Sequence, residues 1–416
     1  MVTRDDDRPA VPAAWLAFAA WTPYLPVGLQ YTGFLVAVLL ATRALHRERR
    51  LASALRHPLH LAAALWWGWL ALSALWSPAP ARELVAHLWT YALMLGVAPL
   101  ALAIRTADAR RALGHFVAAS ALIGAAQLAV TLGGLAPPTL VPFVPFNGYG
   151  GNQRIAVSIG LALALAIAAW SVLQAPRGRD RTWAAAAALA CLGGLLVQDR
   201  RSGLLLMPLL LAALAASRPA SWRRRAAGAT AVLALALAAA AAVPNVQQRF
   251  AEGWAELRAY APQGPVQTSW GMRRRMAEQT WQMVAERPWA GHGAGSWTVL
   301  WRRRTDTTAG LAEHSTPHSE ALLQATQGGL VALLLLARVA WRGGLGAWRR
   351  GRAGQPALLL LTAAAAAGLF NAVLRDAKLA LPLMILAALA WAASRTPAVS
   401  SPPQLPAQDG ERPPHR

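Results

Sequence analysis

The chain has 416 residues, 56% of them hydrophobic and only 14% charged, with a formal net charge of +22. A soluble domain carries about 25% charged residues, and here the apolar residues fall in blocks of about 18–22 divided by short basic loops, so a soluble globular enzyme is excluded in favour of a polytopic membrane protein. The basic excess flanks those blocks, where it sets topology and argues against a nucleic-acid partner, and the single cysteine, Cys191, excludes a disulfide framework or a thiolate metal site.

The N-terminal tail, Thr3-Arg4-Asp5-Asp6-Asp7-Arg8-Pro9, runs into an apolar region without a small-residue cleavage site, so no cleaved signal peptide is expected. Apolar runs then predict an all-α fold of twelve spans: 12–26, 28–45, 58–76, 83–104, 111–133, 154–173, 182–198, 202–217, 225–243, 319–340, 356–374 and 378–394. The first two share one uncharged run broken by Pro23 and Pro26. The expected organisation is nine helices over 1–243, a large loop over 244–318 between helices nine and ten, three helices over 319–395, and a disordered Pro-rich tail over 396–416.

Alternate connections carry Arg47-Glu48-Arg49-Arg50, Arg105 with Arg110-Arg111, Arg177 with Arg179 and Arg181, Arg223-Arg224-Arg225, and Arg349-Arg350 with Arg352. The positive-inside rule places that side, and with it both termini, in the cytoplasm. The opposite side then holds the Pro-rich stretch 134–153, the turns at Gln198–Ser202 and Arg375–Lys378, and the large loop. Within the loop, Val246–Tyr260 and Met272–Arg287 read as helices. In the second, Met276, Thr280, Met283 and Val284 recur at helical spacing, with Arg273, Arg274 and Glu278 among the polar positions. Such a basic amphipathic helix suits the membrane interface.

Basic residues against the topology rule are the informative ones. Arg200 and Arg201 occupy a tight outward turn, Arg154 starts a helix on the same side, and Arg375 and Lys378 flank Asp376 in another outward turn. Arginine's planar fork binds phosphate oxygens in pairs and stays charged when partly desolvated. The bland alternative is snorkelling to headgroups, or pairing with Asp199 and Asp376.

His318 stands where the loop meets the next helix, in Pro317-His318-Ser319-Glu320. An imidazole there is mostly neutral near pH 7 and able to take a proton from a hydroxyl, although a lone histidine at a helix start is often only a cap. A metal site from Glu313, His314, His318 and Glu320 competes, but histidines four apart share a face only on a continuous helix, which Pro317 opposes. Asp5-Asp6-Asp7 lacks a nucleotide fold around it. Gly291-His292-Gly293-Ala294-Gly295 lacks the strand before it and the Gly-Lys-Ser/Thr ending of a phosphate loop. ATP and nucleotide sugars are therefore poor direct substrates.

Several of these segments together resemble the O-antigen ligase/polymerase superfamily. They are Arg273-Arg274-Arg275, then Trp281, then Glu286-Arg287-Pro288-Trp289-Ala290-Gly291-His292-Gly293-Ala294-Gly295, and finally His318 with Leu322 and Gly329. Arg200-Arg201-Ser202-Gly203 looks like that family's Ser-Arg-x-Gly turn, with Arg201 matching the arginine, and Gly151-Asn152-Gln153-Arg154 looks like its Asn-rich helix start. Two positions depart from the family pattern: Ser319 replaces Asn, and Gln327 stands where Glu is frequent.

The resemblance implies a membrane glycosyltransferase fold like that of the GT-C enzymes, in the bacterial inner membrane with its site facing the periplasm. It implies an undecaprenyl-diphosphate-linked O-antigen donor, and a lipid A–core acceptor for a ligase or a second lipid-linked repeat for a polymerase. On this expectation His318 is the general base, and Arg200, Arg201, Arg273, Arg274, Arg154 and Lys378 hold or approach the donor diphosphate. Asp376 and Arg375 support them, and no metal or cofactor takes part. The ligase is preferred because the loop is compact and its basic surface suits phosphorylated lipid A–core. A flippase for a polyisoprenoid-linked anion would instead require basic residues deep within several spans and repeat symmetry.

Overall fold

A computed structural model describes residues 11–134, 151–198, 201–218, 220–242, 244–261, 268–305 and 313–395. The expected disordered tail and the Asp5–Asp7 triplet lie outside them, as does most of the Pro-rich stretch. All regular structure among the described residues is helical. The first half contains α1 (Ala13–Trp21), α2 (Val27–Arg47), α3 (Leu51–Leu55), α4 (Pro58–Ser73), α5 (Ala81–Ala92), α6 (Val97–Ala103), α7 (Thr106–Leu132), α8 (Gly151–Gln174) and α9 (Arg179–Val197). The second contains α10 (Arg201–Ala216), α11 (Trp222–Ala242), α12 (Pro244–Arg258), α13 (Ser269–Glu286), α14 (Ser296–Arg304), α15 (Glu320–Trp348), α16 (Gln355–Phe370) and α17 (Ala377–Ala393).

Eight of the twelve expected spans are helices long and apolar enough to cross a membrane, the longest being Glu320–Trp348 and Thr106–Leu132. Two more, Ser202–Ala216 and Ala377–Ala393, are shorter apolar helices. The expected first span differs most. Its helix, α1, has only nine residues before a 3-10 turn at Thr22–Tyr24. At 1.5 Å per residue it covers roughly 14 Å of a hydrocarbon core about 30 Å thick, because Pro23 and Pro26 end it.

Alanine and glycine let these helices approach closely, as in membrane bundles generally. A Cβ on Gly124 would meet the Ala190 carbonyl, and one on Gly194 would meet Gly124 itself, so α7 and α9 touch backbone to backbone. Helix α8 lies against α9 and α10, α15 against α4, and α17 against α7. Residues 161–168 of α8 are buried throughout, which makes that helix the centre of the bundle.

A second, smaller core lies beneath the large loop. Met276 and Met283 of α13 join Trp297 and Trp301 of α14 with Leu323 of α15 and Ala372. The two indoles stack with centroids 5.2 Å apart, and Trp297 Nε1 donates to Thr280 Oγ1 at 2.8 Å. The helical spacing read from Met276, Thr280 and Met283 is therefore real, with all three fully buried. Its apolar face packs on α14 and α15 rather than in a lipid interface. The reason is Trp297 and Trp301, which supply the apolar partner surface from within the same loop.

Candidate active site

The site forms where that loop joins α15. Gly329 breaks α15 with φ +67° and ψ −164°, leaving carbonyls and amides around the break without their helical partners. The glycine-rich turn supplies them. The amides of His292 and Gly293 donate to the carbonyls of Thr326 and Gln327, both at 2.8 Å, while Leu330 N donates to the Pro288 carbonyl at 2.8 Å. Gly295 N donates to Gln327 Oε1 at 2.9 Å, and Ala294 N to Ser73 Oγ of α4 at 3.0 Å.

The turn is thus a splice across a broken helix, and its amides are directed at protein carbonyls instead of a phosphate. Gly291 and Gly293 have positive φ, and a Cβ on either would come within 2.6 Å of Gln327 or Ser73 backbone. The close docking excludes any side chain there.

This splice fixes the segment before α15. Ser319 is the N-cap of α15, its hydroxyl accepting the Leu322 amide at 3.4 Å. Asn and Ser are comparable caps, so the departure at 319 preserves the local structure. Immediately before the cap, His318 takes φ +52°, a left-handed conformation rare outside glycine. Among the described residues neither ring nitrogen has a hydrogen-bond partner, and the His314 ring meets it edge-on at 5.6 Å.

Burial, with the Arg273 guanidinium and the His314 ring nearby, pushes the His318 pKa down to about 4. The imidazole is therefore neutral at pH 7. His314 is also pushed down, by burial.

His318 is shared by two clefts. One, of about 250 Å³, lies between α13 and the α15 start, with Arg273 and Arg274 on an otherwise apolar wall that includes Trp270, Leu322 and Phe370. The other, of about 420 Å³, is lined by polar groups: Tyr31 of α2, Thr316, Asn371, Arg375, Asp376 and Lys378.

Of the residues expected from sequence, His318, Arg273, Arg274, Arg375, Asp376 and Lys378 therefore converge. They are divided between the two clefts, with Lys378 on the side away from Arg273. Arg274 is already engaged: its Nε donates to Glu278 at 3.0 Å, its Nη1 to the Leu257 carbonyl, and its guanidinium lies 4.7 Å from the Tyr260 ring centroid. Arg275 donates to the Ala261 carbonyl at 3.0 Å. Arg154 lies on the first turns of α8 and lines neither cleft. Arg200 lies outside the described residues, as does the side chain of Arg201, whose backbone opens α10. That helix start is anchored through Gly203, whose amide donates to Ser158 Oγ of α8 at 2.8 Å.

Sequence reasoning missed Tyr31, Trp270 and Asn371 as wall residues, since only packing brings them to His318. Glu320 it weighed only as a metal ligand, missing its structural role. Buried at the first position of α15, Glu320 accepts the Leu374 amide at 2.9 Å and Gln324 Nε2 at 2.8 Å. Its acidity beside an N-cap was a local signal, though its long-range partner was not legible.

A comparison with protein families covers this junction. Residues 185–337 match the family model described as O-antigen ligase. The O-antigen ligase match runs from within α9 to within α15, and so takes in the Arg201 turn, the large loop, His318 and the splice at Gly329. No relative was found among curated proteins. The family supports an O-antigen ligase or polymerase type of activity, that is, a glycosyltransferase-like enzyme in a membrane acting on lipid-linked glycans.

Proposed function

We propose that the protein is an O-antigen ligase that transfers a glycan from undecaprenyl diphosphate to lipid A–core on the periplasmic face of the bacterial inner membrane. The observation that carries this reading is His318, neutral, without a hydrogen-bond partner among the described residues and shared by two clefts. One cleft pairs a cation with an apolar wall and the other is polar. A lipid-diphosphate donor and a sugar acceptor need such a pair of environments on either side of one base.

In the reaction His318 takes the proton of an acceptor hydroxyl. The oxygen attacks the anomeric carbon, and the bond to the diphosphate oxygen breaks with its electron pair leaving on the diphosphate. The displacement inverts the anomeric centre. Arg273, with Arg200 and Arg201, holds the charge that develops on the leaving group; fixed guanidinium groups do this without a metal. Arg154, outside both clefts on the first turns of α8, is assigned to the donor's path toward them. The donor anion offsets the Arg273 charge and raises the His318 pKa once bound, so the base strengthens as the complex forms. The lipid-diphosphate bond carries the energy, so ATP is not required.

The test is glycan transfer by purified protein with lipid-linked O-antigen, lipid A–core and EDTA, comparing wild type with His318→Ala. Transfer that survives EDTA and falls about 10²–10⁴-fold in the variant supports the reading. Unimpaired transfer in the variant rejects His318 as base. Extension of lipid-linked repeats in place of transfer to lipid A–core assigns the protein as a polymerase.

A further inference from the structure

The polar cleft on the Lys378 side of His318 has features that donor binding does not use. Arg375 and Lys378 both line it, and neither side chain forms an ion pair with a described carboxylate. Arg375 Nε is buried without a hydrogen-bond partner among the described residues. Leaving a buried guanidinium nitrogen unpaired is costly unless a ligand completes it.

Lys378 sits in the first turn of α17, where a cation is disfavoured by the positive end of the helix dipole. Asp376, the only carboxylate among the described residues of this wall, caps the helix, accepting the Lys378 amide at 3.0 Å. Among the described residues, two cations, one carboxylate and a helix N-terminus leave the cleft net positive. Tyr31, Thr316 and Asn371 add hydroxyl and amide groups that match sugar hydroxyls. The cleft on the other side of His318 has a largely apolar wall instead, as a polyprenyl chain requires.

We infer that the Arg375–Lys378 cleft is the acceptor subsite, and that it recognises an anionic sugar, one bearing a phosphate or carboxylate beside the attacking hydroxyl. This rests on the ligase reading and adds to it a specificity: the donor diphosphate binds on the Arg273 side, and Arg375 and Lys378 read the acceptor's charge. His318, on the wall between, is reached by the acceptor hydroxyl from one side and faces the leaving group on the other.

The test uses full-length protein and two acceptors, lipid A–core with its core phosphates and the same material after phosphatase treatment. Lys378→Gln and Arg375→Lys are each compared with wild type, which guards against one variant failing to fold. The expected result is a KM for the phosphorylated acceptor raised roughly tenfold to a hundredfold, a donor KM unchanged, and little effect with the dephosphorylated acceptor. A raised donor KM in either variant would overturn the assignment, placing the donor diphosphate in this cleft. Equal losses on both acceptors would also overturn it, since no anion would then be read.

Direct binding of phosphorylated core oligosaccharide, freed from lipid A, to the purified protein needs no turnover. Tight binding by wild type that weakens in the variants supports the subsite even where wild type transfers nothing to lipid A–core, the result that rejects the ligase reading. Binding unchanged in both variants rejects the subsite.

Discussion

Glu320 accepts the backbone amide of Leu374 at 2.9 Å, so the first residue of α15 clamps the turn that carries Arg375, Asp376 and the start of α17. The same carboxylate takes Gln324 Nε2, and Gln324 in turn accepts Trp66 Nε1 of α4 at 3.2 Å. His318 and the second cleft are therefore held in one frame by a buried polar chain. Glu320→Ala is expected to leave the Leu374 amide and Gln324 unpaired at a cost of about 1–3 kcal/mol for each buried group left alone. Acceptor KM should rise along with the loss of thermal stability, because the turn loses its clamp. Thermal unfolding in detergent and separate KM values for donor and acceptor measure this; an unchanged melting temperature would contradict the clamp.

The pH profile follows from His318. Its pKa of about 4 in the free protein is set first by burial and then by Arg273. The base must be neutral to accept a proton, so kcat/KM should fall only as pH drops through about 4. The acid limb of kcat should lie at higher pH, because the bound diphosphate favours the imidazolium. Arg273→Gln removes one cause of the depression and should move the kcat/KM limb upward, whatever it does to the rate. The same depression has a stability consequence. A histidine depressed from 6.5 takes up its proton more readily when unfolded, so its contribution to folding is lost as pH falls from about 6.5 to about 4. Chemical denaturation across that range should show the decline, and His318→Gln should flatten it.

The helical plan was legible because apolar run length and arginine placement are local properties, and eight expected spans stand at or near their expected limits. Pro23 and Pro26 were visible too, but their effect on α1 depends on where the short helix ends, a balance that hydropathy does not record. At the site, Pro317 and the polar-to-apolar switch marked where the loop ends and α15 begins, just after His318. What could not be read was the partition of the cations. Arg273 and Arg274 are sequence neighbours of identical chemistry, and only the fold shows one beside His318 and the other on Glu278 and Tyr260. The glycine-rich turn was recognisable as a motif, while its role depended on a helix break thirty-odd residues away.

That break yields a contrast within a single helix. Gly329 has positive φ, and a Cβ there would run into the Trp289 carbonyl of the docked turn. Gly343, further along α15, has helical geometry and nothing closer than 3.7 Å to an added Cβ. Gly329→Ala should therefore lower stability by more than about 2 kcal/mol and abolish transfer, since backbone strain and loss of the splice act together. Gly343→Ala should be neutral or stabilising by up to about 1 kcal/mol. Thermal unfolding of the two variants, each measured with transfer activity, checks the pair. Equal tolerance at both positions would show that the turn does not depend on close docking.

Gln327 gives a chemical test of the same splice. Its Oε1 accepts the Gly295 amide at 2.9 Å in a fully buried setting, so an acceptor oxygen is what the position requires. Gln327→Leu keeps much of the volume but orphans the buried Gly295 amide, which should cost about 1–3 kcal/mol.

Arg273 and Arg274 can be separated by what each loses. Arg273→Ala removes the guanidinium nearest His318 and should reduce kcat/KM by about 3–4 kcal/mol of transition-state stabilisation, a hundredfold to a thousandfold. Arg274→Ala should cost less in rate. Its ion pair with Glu278 is half exposed on both sides and worth at most about 1 kcal/mol, and its contact with the Tyr260 ring adds a similar amount. Those losses fall on the α12–α13 packing and register as stability. Measuring kcat/KM and the melting temperature for both variants yields two signatures: the larger rate loss for Arg273, and for Arg274 a stability loss that outweighs its rate loss. If Arg274→Ala lost the greater rate, the donor diphosphate would have to displace Glu278 and bind one turn edge further from His318 than the clefts now indicate.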